Sequence, residues 1–156
     1  MTYLIEGLDP VPYRPLVGLS DAALAEQGAA RMIVDEVPSF PCRVRLDDAP
    51  LGAAMLLVNY VSHDVANPYR ASHAIFIDEA ATAPARFVDT VPPALDRRIL
   101  SLRGFDGAGM MQAATLAQPG EADAAIRGLF ADPDIVTIHA HNAVRGCFAA
   151  TVERYG

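Results

Sequence analysis

Residues 138–148 read IHAHNAVRGCF and concentrate the chemically capable side chains of this chain. The segment holds two of the four histidines, one of the two cysteines, an asparagine and an arginine. A cysteine in contact with a histidine can form a thiolate and imidazolium pair, the activated nucleophile of several hydrolases and transferases. This interpretation makes Cys147 and His141 the candidate catalytic residues.

Two other chemistries fit the same segment. In the alternative metal interpretation, His139 and His141 supply two nitrogen ligands to zinc or iron. Arg145 and Asn142 could instead bind a small anion without any reaction. A structural role also fits, because a His-x-His pattern often forms the polar face of a half-buried strand and a lone cysteine is often a small core residue. Local spacing marks no third acidic ligand, so the sequence names neither a metal nor a cofactor.

The elements that position these residues follow from alternating apolar and polar positions. On either side of NAVRG this alternation predicts an antiparallel hairpin of residues 135–141 and 147–153 with a loop at 142–146. The expected register pairs Ala140 with Phe148. It also places His141 directly opposite Cys147, with their Cβ atoms roughly 4.5 to 5.5 Å apart.

The rest of the chain predicts a mixed fold. A helix is expected between the N-cap Ser20 and the stop Gly28, and a second helix within 119–133. Strand-like patterns cover 31–36, 53–62, 71–79, 97–105 and 110–118. Because strands outnumber helices and connections are short, the expected class is α+β: a curved, mainly antiparallel sheet with two short helices and a C-terminal β-hairpin. Closure of the sheet into a small barrel is the alternative topology.

Composition bounds the functional classes. The 156 residues carry a net charge of −7, and this length fits one domain over residues 1–156. The acidic balance lacks the basic face that nucleic acid requires. The chain has no lysine, which excludes Schiff-base chemistry and the Walker lysine.

Compartment is predicted from the first residues and from the cysteines. MTYLIEGLDP shows no secretory signal, and the longest apolar stretches reach about half of the roughly 20 residues that a membrane span needs. We therefore expect a soluble, cytoplasmic protein. Two cysteines far apart in sequence are expected to be free thiols in that reducing compartment.

Several short motifs resemble one known family. In chain order they are PCR at 41–43, LLVNY at 56–60, NPY at 67–69, AIFIDE at 74–79, LRGFD at 102–106 and HNAVRGCF at 141–148. Together they are similar to the family catalogued as domain of unknown function 1203. The resemblance implies a bacterial single-domain protein without an established activity. It marks as motif positions Cys42, Arg43, Tyr69, Arg103, Asn142, Gly146 and Cys147.

The sequence departs from the family pattern at SHAIF, residues 72–76, where the family usually has Ser-Gly-Pro. His73 is therefore not expected to take part in a mechanism.

These observations together predict a polar pocket near the C-terminal hairpin of a small-molecule-binding protein or small enzyme. In this hypothesis Cys147 and His141 form the reactive pair and an arginine holds an anionic group of the ligand. The candidate substrate-binding residues are Arg43, Tyr69, Arg103 and Asn142. The expected partner is a small anionic molecule. The alternative is a non-catalytic structural or protein-interaction module whose motif residues hold loops together.

Overall fold

Nine β-strands form two sheets in the computed structural model, which describes residues 1–156. The strands are β1 (Thr2–Glu6), β2 (Ala30–Ile33), β3 (Ala54–His63), β4 (Ala71–Asp78), β5 (Arg86–Val88), β6 (Leu100–Phe105), β7 (Met111–Ala117), β8 (Thr137–Asn142) and β9 (Phe148–Tyr155). One sheet has the order β5-β1-β9-β8-β6-β7, and the other has the order β2-β3-β4. All strand pairs in both sheets are antiparallel.

The helices are short and lie between strands. They are a 3-10 helix (Val11–Leu16), α1 (Asp21–Glu26), α2 (Pro93–Asp96) and α3 (Ala122–Leu129). The predicted N-cap is confirmed, since Ser20 Oγ accepts a hydrogen bond from the N–H of Ala23 at 3.1 Å. None of the helices combines the length and the apolar character that crossing a bilayer requires.

The predicted α+β class is confirmed, with both predicted helices and the C-terminal hairpin in place. The barrel alternative is wrong, because β5 and β7 remain unpaired edges of the six-stranded sheet and the second sheet is separate. Four elements were not predicted: β1, the 3-10 helix, β5 and α2. These are short, and β1 lies between two strands from the distant parts of the chain, β5 and β9.

Two apolar clusters hold the fold together. One contains 18 buried residues of the six-stranded sheet, α2 and α3, including Ile5, Leu102, Ile126, Ile138 and Val152. The other contains 13 buried residues of the three-stranded sheet, α1 and the loop around residues 40–49. The two sheets face each other through contacts between aromatic and histidine rings. Rings on β3 contact rings on β6, β8 and β9, and a ring on β4 contacts one on β8. The candidate site lies at one end of this interface.

Candidate functional site

The predicted hairpin forms, but its loop begins one residue later than expected. Asn142 belongs to β8, and its N–H donates to the carbonyl of Cys147 at 2.9 Å. The loop between the two strands is therefore 143–147 rather than 142–146. Gly146 closes it with a φ of 78°, a left-handed conformation that glycine adopts without the strain of a side chain.

A β-bulge shifts the register further. Ala149 is the extra residue, because His141 pairs with Phe148 while the preceding residue of β8 pairs with Ala150. The predicted position of His141 opposite Cys147 is wrong, because the loop begins after Asn142 and His141 therefore pairs with Phe148. The bulge shifts the register by one more residue only beyond that pair.

The register decides which side chains share a face. Cys147 lies beside Asn142, whose Nδ2 donates to the Cys147 sulfur at 3.5 Å. Phe148 lies instead with the two hairpin histidines, its ring centroid 5.6 Å from that of His139 and 5.9 Å from that of His141. The shift at the loop therefore places Phe148, not Cys147, opposite the histidine predicted to activate the cysteine.

The loop that begins with the PCR motif is anchored from both sides. The Arg43 N–H donates to the carbonyl of Phe76 on β4 at 3.0 Å, and the Arg43 carbonyl accepts from the N–H of Leu8, just after β1, at 2.8 Å. Because the N–H and the carbonyl of Arg43 are both hydrogen-bonded, its backbone is fixed. The Arg43 side chain extends from there to β9.

The Arg43 guanidinium makes three hydrogen bonds. Nε donates to the carbonyl of Phe148 at 2.8 Å, Nη1 to the carbonyl of Pro41 at 2.6 Å, and Nη2 to the sulfur of Cys147 at 3.2 Å. The residue is only 2% exposed. Burial lowers the pKa of Arg43, while the charge and the hydrogen bond of Cys147 act in the opposite direction.

No carboxylate compensates the charge of Arg43. The nine ion pairs of the structure involve other arginines. Isolated buried charges are costly, and they are normally paired. The sulfur of Cys147 is the only group bonded to this guanidinium that can carry a negative charge.

Cys147 lies at a cavity of about 880 Å³, a volume typical of small-molecule sites. Arg43, Asn142, Arg145, Arg98 and His73 also line it, together with apolar side chains such as Leu57, Phe40 and Phe76. The sequence hypothesis of a polar pocket near the hairpin agrees with this cavity. Of the four predicted substrate-binding residues, Arg43 and Asn142 line it.

Two residues that line this cavity each carry a buried polar atom without a hydrogen-bond partner: Asn142 Oδ1 and His73 Nε2. Buried polar atoms are normally satisfied, and an unsatisfied one requires an explanation such as a ligand. Asn142 is 9% exposed and already uses its Nδ2 on Cys147. Its oxygen therefore remains to accept a hydrogen bond from a bound molecule.

His141 has a different environment from the one predicted. Its Nδ1 donates to the carbonyl of Gly146 at 3.1 Å, because a carbonyl only accepts. Burial and, to a smaller extent, the charge of Arg103 lower the pKa of His141 to about 3, so the ring is neutral at neutral pH. A neutral ring cannot be the imidazolium partner of a thiolate. His141 thus holds the loop that carries Cys147.

All four histidines lie in one layer between the sheets. The ring centroids of His63 and His139 are 5.0 Å apart, and those of His73 and His141 are 4.9 Å apart. Burial lowers the pKa of His139 to about 4, with His63 and Arg103 adding to the effect. No group of three or more His, Cys, Asp or Glu side chains is arranged to hold a metal ion. The metal alternative for His139 and His141 therefore finds no third ligand.

The other predicted binding residues lie outside the cavity. Arg103 is opposite His139 in the pairing of β6 with β8, and its Nε donates to Ser101 Oγ at 3.4 Å. Tyr69 is exposed, with its ring centroid 6.3 Å from that of Phe105. Neither residue lines the pocket that contains Cys147.

Sequence reasoning missed several polar residues of the cavity, among them Asp35, Glu36, His73 and Arg98. His73 was set aside because it departs from the family motif, yet it is the one histidine that lines the pocket. Arg98 also lines the pocket, and both of its terminal nitrogens bond to the carboxylate of Asp48. The pairing of β3 with β4 places His73 at the cavity. Because this pairing is not visible in the sequence, the sequence alone could not identify His73 as a cavity residue.

The second cysteine has a structural environment. Cys42 is 1% exposed, and its sulfur accepts weak hydrogen bonds from the N–H groups of Arg45 at 3.5 Å and Asp78 at 3.4 Å. Both cysteines are free, as predicted, and Cys147 is the more exposed of the two. The contact of Arg43 is with Cys147, not with its neighbour Cys42.

Comparison with known proteins bears on the motifs around this pocket. No curated protein and no solved structure matches the chain. One family model does match, over residues 39–154, a range that includes the PCR loop, both strands of the hairpin and every residue bonded to Cys147. The chain therefore belongs to the family described as protein of unknown function (DUF1203).

Proposed function

We propose that this protein binds a small anionic molecule in the cavity of about 880 Å³, with the Cys147 thiolate as a nucleophile at its wall. Arg43 and Asn142 hold the sulfur in position. The predicted reactive pair of Cys147 and His141 is replaced in this proposal by a pair of Cys147 and Arg43.

The observation that carries the proposal is the hydrogen bond of 3.2 Å from the buried Arg43 guanidinium to the Cys147 sulfur. A nearby guanidinium stabilises a thiolate, which is the reactive form of cysteine. The thiolate would in turn stabilise the charge of Arg43, because Arg43 has no carboxylate partner. Asn142 Nδ2 adds a second donor to the same sulfur.

Anion binding is supported by Arg145. This exposed residue of the hairpin loop lines the cavity and takes part in none of the ion pairs of the structure. Arginine suits this role because its planar fork binds carboxylates and phosphates through two hydrogen bonds. Arg98 contributes less, since Asp48 already compensates its charge.

Alkylation of the native protein by iodoacetamide near neutral pH tests the proposal, with each cysteine followed by peptide mass spectrometry. We expect Cys147 to react while Cys42 stays unmodified. The substitution Asn142→Ala removes a donor to the sulfur. It should slow the reaction about fivefold, since a hydrogen bond that contributes about 1 kcal/mol corresponds to that factor. Asn142→Asp should slow it more, because a carboxylate repels the thiolate.

The matched control is Asn59→Ala, since Asn59 is exposed on β3 and does not line the cavity. It should leave the rate for Cys147 as in the wild type. If Cys147 remains unmodified until a denaturant is added, the proposal is wrong. In that case the bonds of Arg43 to the carbonyls of Pro41 and Phe148 favour the structural module instead.

A further inference from the structure

Resting on the proposed function, we propose that the cavity accepts a zwitterionic disulfide derived from amino acids, and that Cys147 forms a mixed disulfide with it. The chemical class follows from three features of the cavity wall: separated charges of both signs, an unsatisfied buried acceptor, and a single accessible sulfur.

Charges of both signs line the cavity on different segments. Arg145 lies on the hairpin loop, while Asp35 and Glu36 lie on the segment that follows β2. All three residues are exposed, and none of them takes part in an ion pair. A ligand with a carboxylate and an ammonium group complements both walls, whereas a simple anion complements only Arg145.

A hydrogen-bond donor on the ligand would complement Asn142, a residue that lines the cavity. Asn142 Oδ1 is buried without a partner in a residue that is 9% exposed. An amide N–H or an ammonium group would satisfy it, and a phosphate or a simple carboxylate would not. Amino acids and short peptides supply such a donor together with both charges.

Sulfur exchange is the reaction that these residues support without a further co-reactant. The Cys147 thiolate attacks one sulfur of the ligand disulfide, a new S–S bond forms, and the old S–S bond breaks. The leaving thiolate takes the electron pair and then a proton from water. Cys147 is thereby oxidised to the mixed disulfide while the departing half of the ligand is reduced to a thiol.

The mixed disulfide should persist in this protein. Cys42 does not line the cavity that contains Cys147, and its sulfur is occupied by two backbone N–H groups. No second thiol of the chain is therefore exposed to attack the mixed disulfide. Its release requires an external thiol of the same class.

The test compares two disulfide probes, oxidised glutathione and the uncharged hydroxyethyl disulfide, on the native protein. Intact mass spectrometry gives the rate at which each adds to Cys147, and Cys147→Ser identifies the site. We expect the ratio of the glutathione rate to the hydroxyethyl rate to fall about fivefold in Arg145→Gln, because exposed ion pairs contribute up to that factor. The double variant Asp35→Asn with Glu36→Gln should lower the ratio by a similar factor.

Arg70→Gln is the control, since Arg70 is an exposed arginine outside the cavity, and it should leave the ratio unchanged. An equal ratio in the wild type and both pocket variants would overturn the ligand class. If iodoacetamide still modifies Cys147 in that case, the proposed function stands without this inference. If neither iodoacetamide nor the disulfides react with the folded protein, both proposals fail.

Discussion

Arg43 and Cys147 are 104 residues apart in sequence, and the guanidinium of the first donates to the sulfur of the second at 3.2 Å. The contact joins two segments that carry family motifs, the PCR loop and the C-terminal hairpin. It also joins the two sheets, because Arg43 is bonded through its backbone to β4 and through its side chain to β9.

Replacing Arg43 should destabilise the protein. Arg43→Gln leaves the carbonyls of Pro41 and Phe148 without their donors and removes the partner of Cys147, so we expect a loss of about 3 kcal/mol. Urea denaturation measures the loss. Arg145→Gln, at an exposed position, should change the free energy of unfolding by less than about 0.5 kcal/mol. Equal effects of the two variants would show that Arg43 has no structural role.

The charge of the group on Cys147 should affect stability. Alkylation with iodoacetamide attaches a neutral group to the sulfur, so that Arg43 is buried without an anion, which should lower the melting temperature. Iodoacetate attaches a carboxylate that can pair with Arg43, so its product should melt higher. We expect a difference of several degrees, given about 2–4 °C per kcal/mol for a chain of this size. Identical melting of both products would contradict this role for the sulfur.

The approach of β1 to the PCR loop should tolerate no side chain at Gly7. A Cβ built at Gly7 would lie 1.9 Å from the carbonyl oxygen of Val44, the residue after Arg43. Backbone must move to relieve this contact, so Gly7→Ala should cost more than about 3 kcal/mol or prevent folding. Gly107→Ala is the control, because its Cβ would meet nothing within 4 Å. Thermal denaturation compares the two, and similar melting of both would contradict the described approach.

The histidine layer should make the protein sensitive to acid. The unfolded histidines bind protons as pH falls below about 6.5, whereas His139 and His141 stay neutral in the fold until about pH 4 and about pH 3. The contribution of these neutral histidines to the free energy of unfolding is therefore fully present above pH 6.5. Below that pH it is lost at about 1.4 kcal/mol per pH unit for each histidine. Their neutral form is favoured by burial and by Arg103, and His63 and His73 face the same layer.

Urea denaturation at a series of pH values measures this loss. His139→Leu removes one of the titrating groups, so below pH 6.5 the slope of stability against pH should fall by about 1.4 kcal/mol per pH unit. A variant with the full slope would contradict the assignment to these histidines.

The sequence predicted the elements whose patterns are local. Ser20 and Gly28 bracket α1, and the alternation around NAVRG predicted the C-terminal hairpin with Ile138 and Val152 on the core side. Both features depend on residues close in sequence. The short strands β1 and β5 were missed because their pairing partners come from the other end of the chain.

The candidate site was predicted in its residues but not in its contacts. Cys147, Arg43 and Asn142 line one cavity, whereas the partner of Cys147 was predicted as His141. The position of the loop causes this difference: because the loop begins after Asn142, Phe148 pairs with His141. Alternation of residue types does not determine which residue ends a strand. The long-range contact of Arg43 follows from the position of its loop between the sheets, which one sequence does not reveal.

The ultraviolet absorbance of the thiolate tests the charge of the Cys147 sulfur most directly. It should be recorded for the native protein near neutral pH and for the variants Cys147→Ala and Cys42→Ala. We predict a thiolate band in the wild type and in Cys42→Ala that disappears in Cys147→Ala, because Arg43 and Asn142 stabilise the negative sulfur. The same spectrum for all three proteins would contradict the account, since Cys147 would then be a neutral thiol beside an uncompensated arginine.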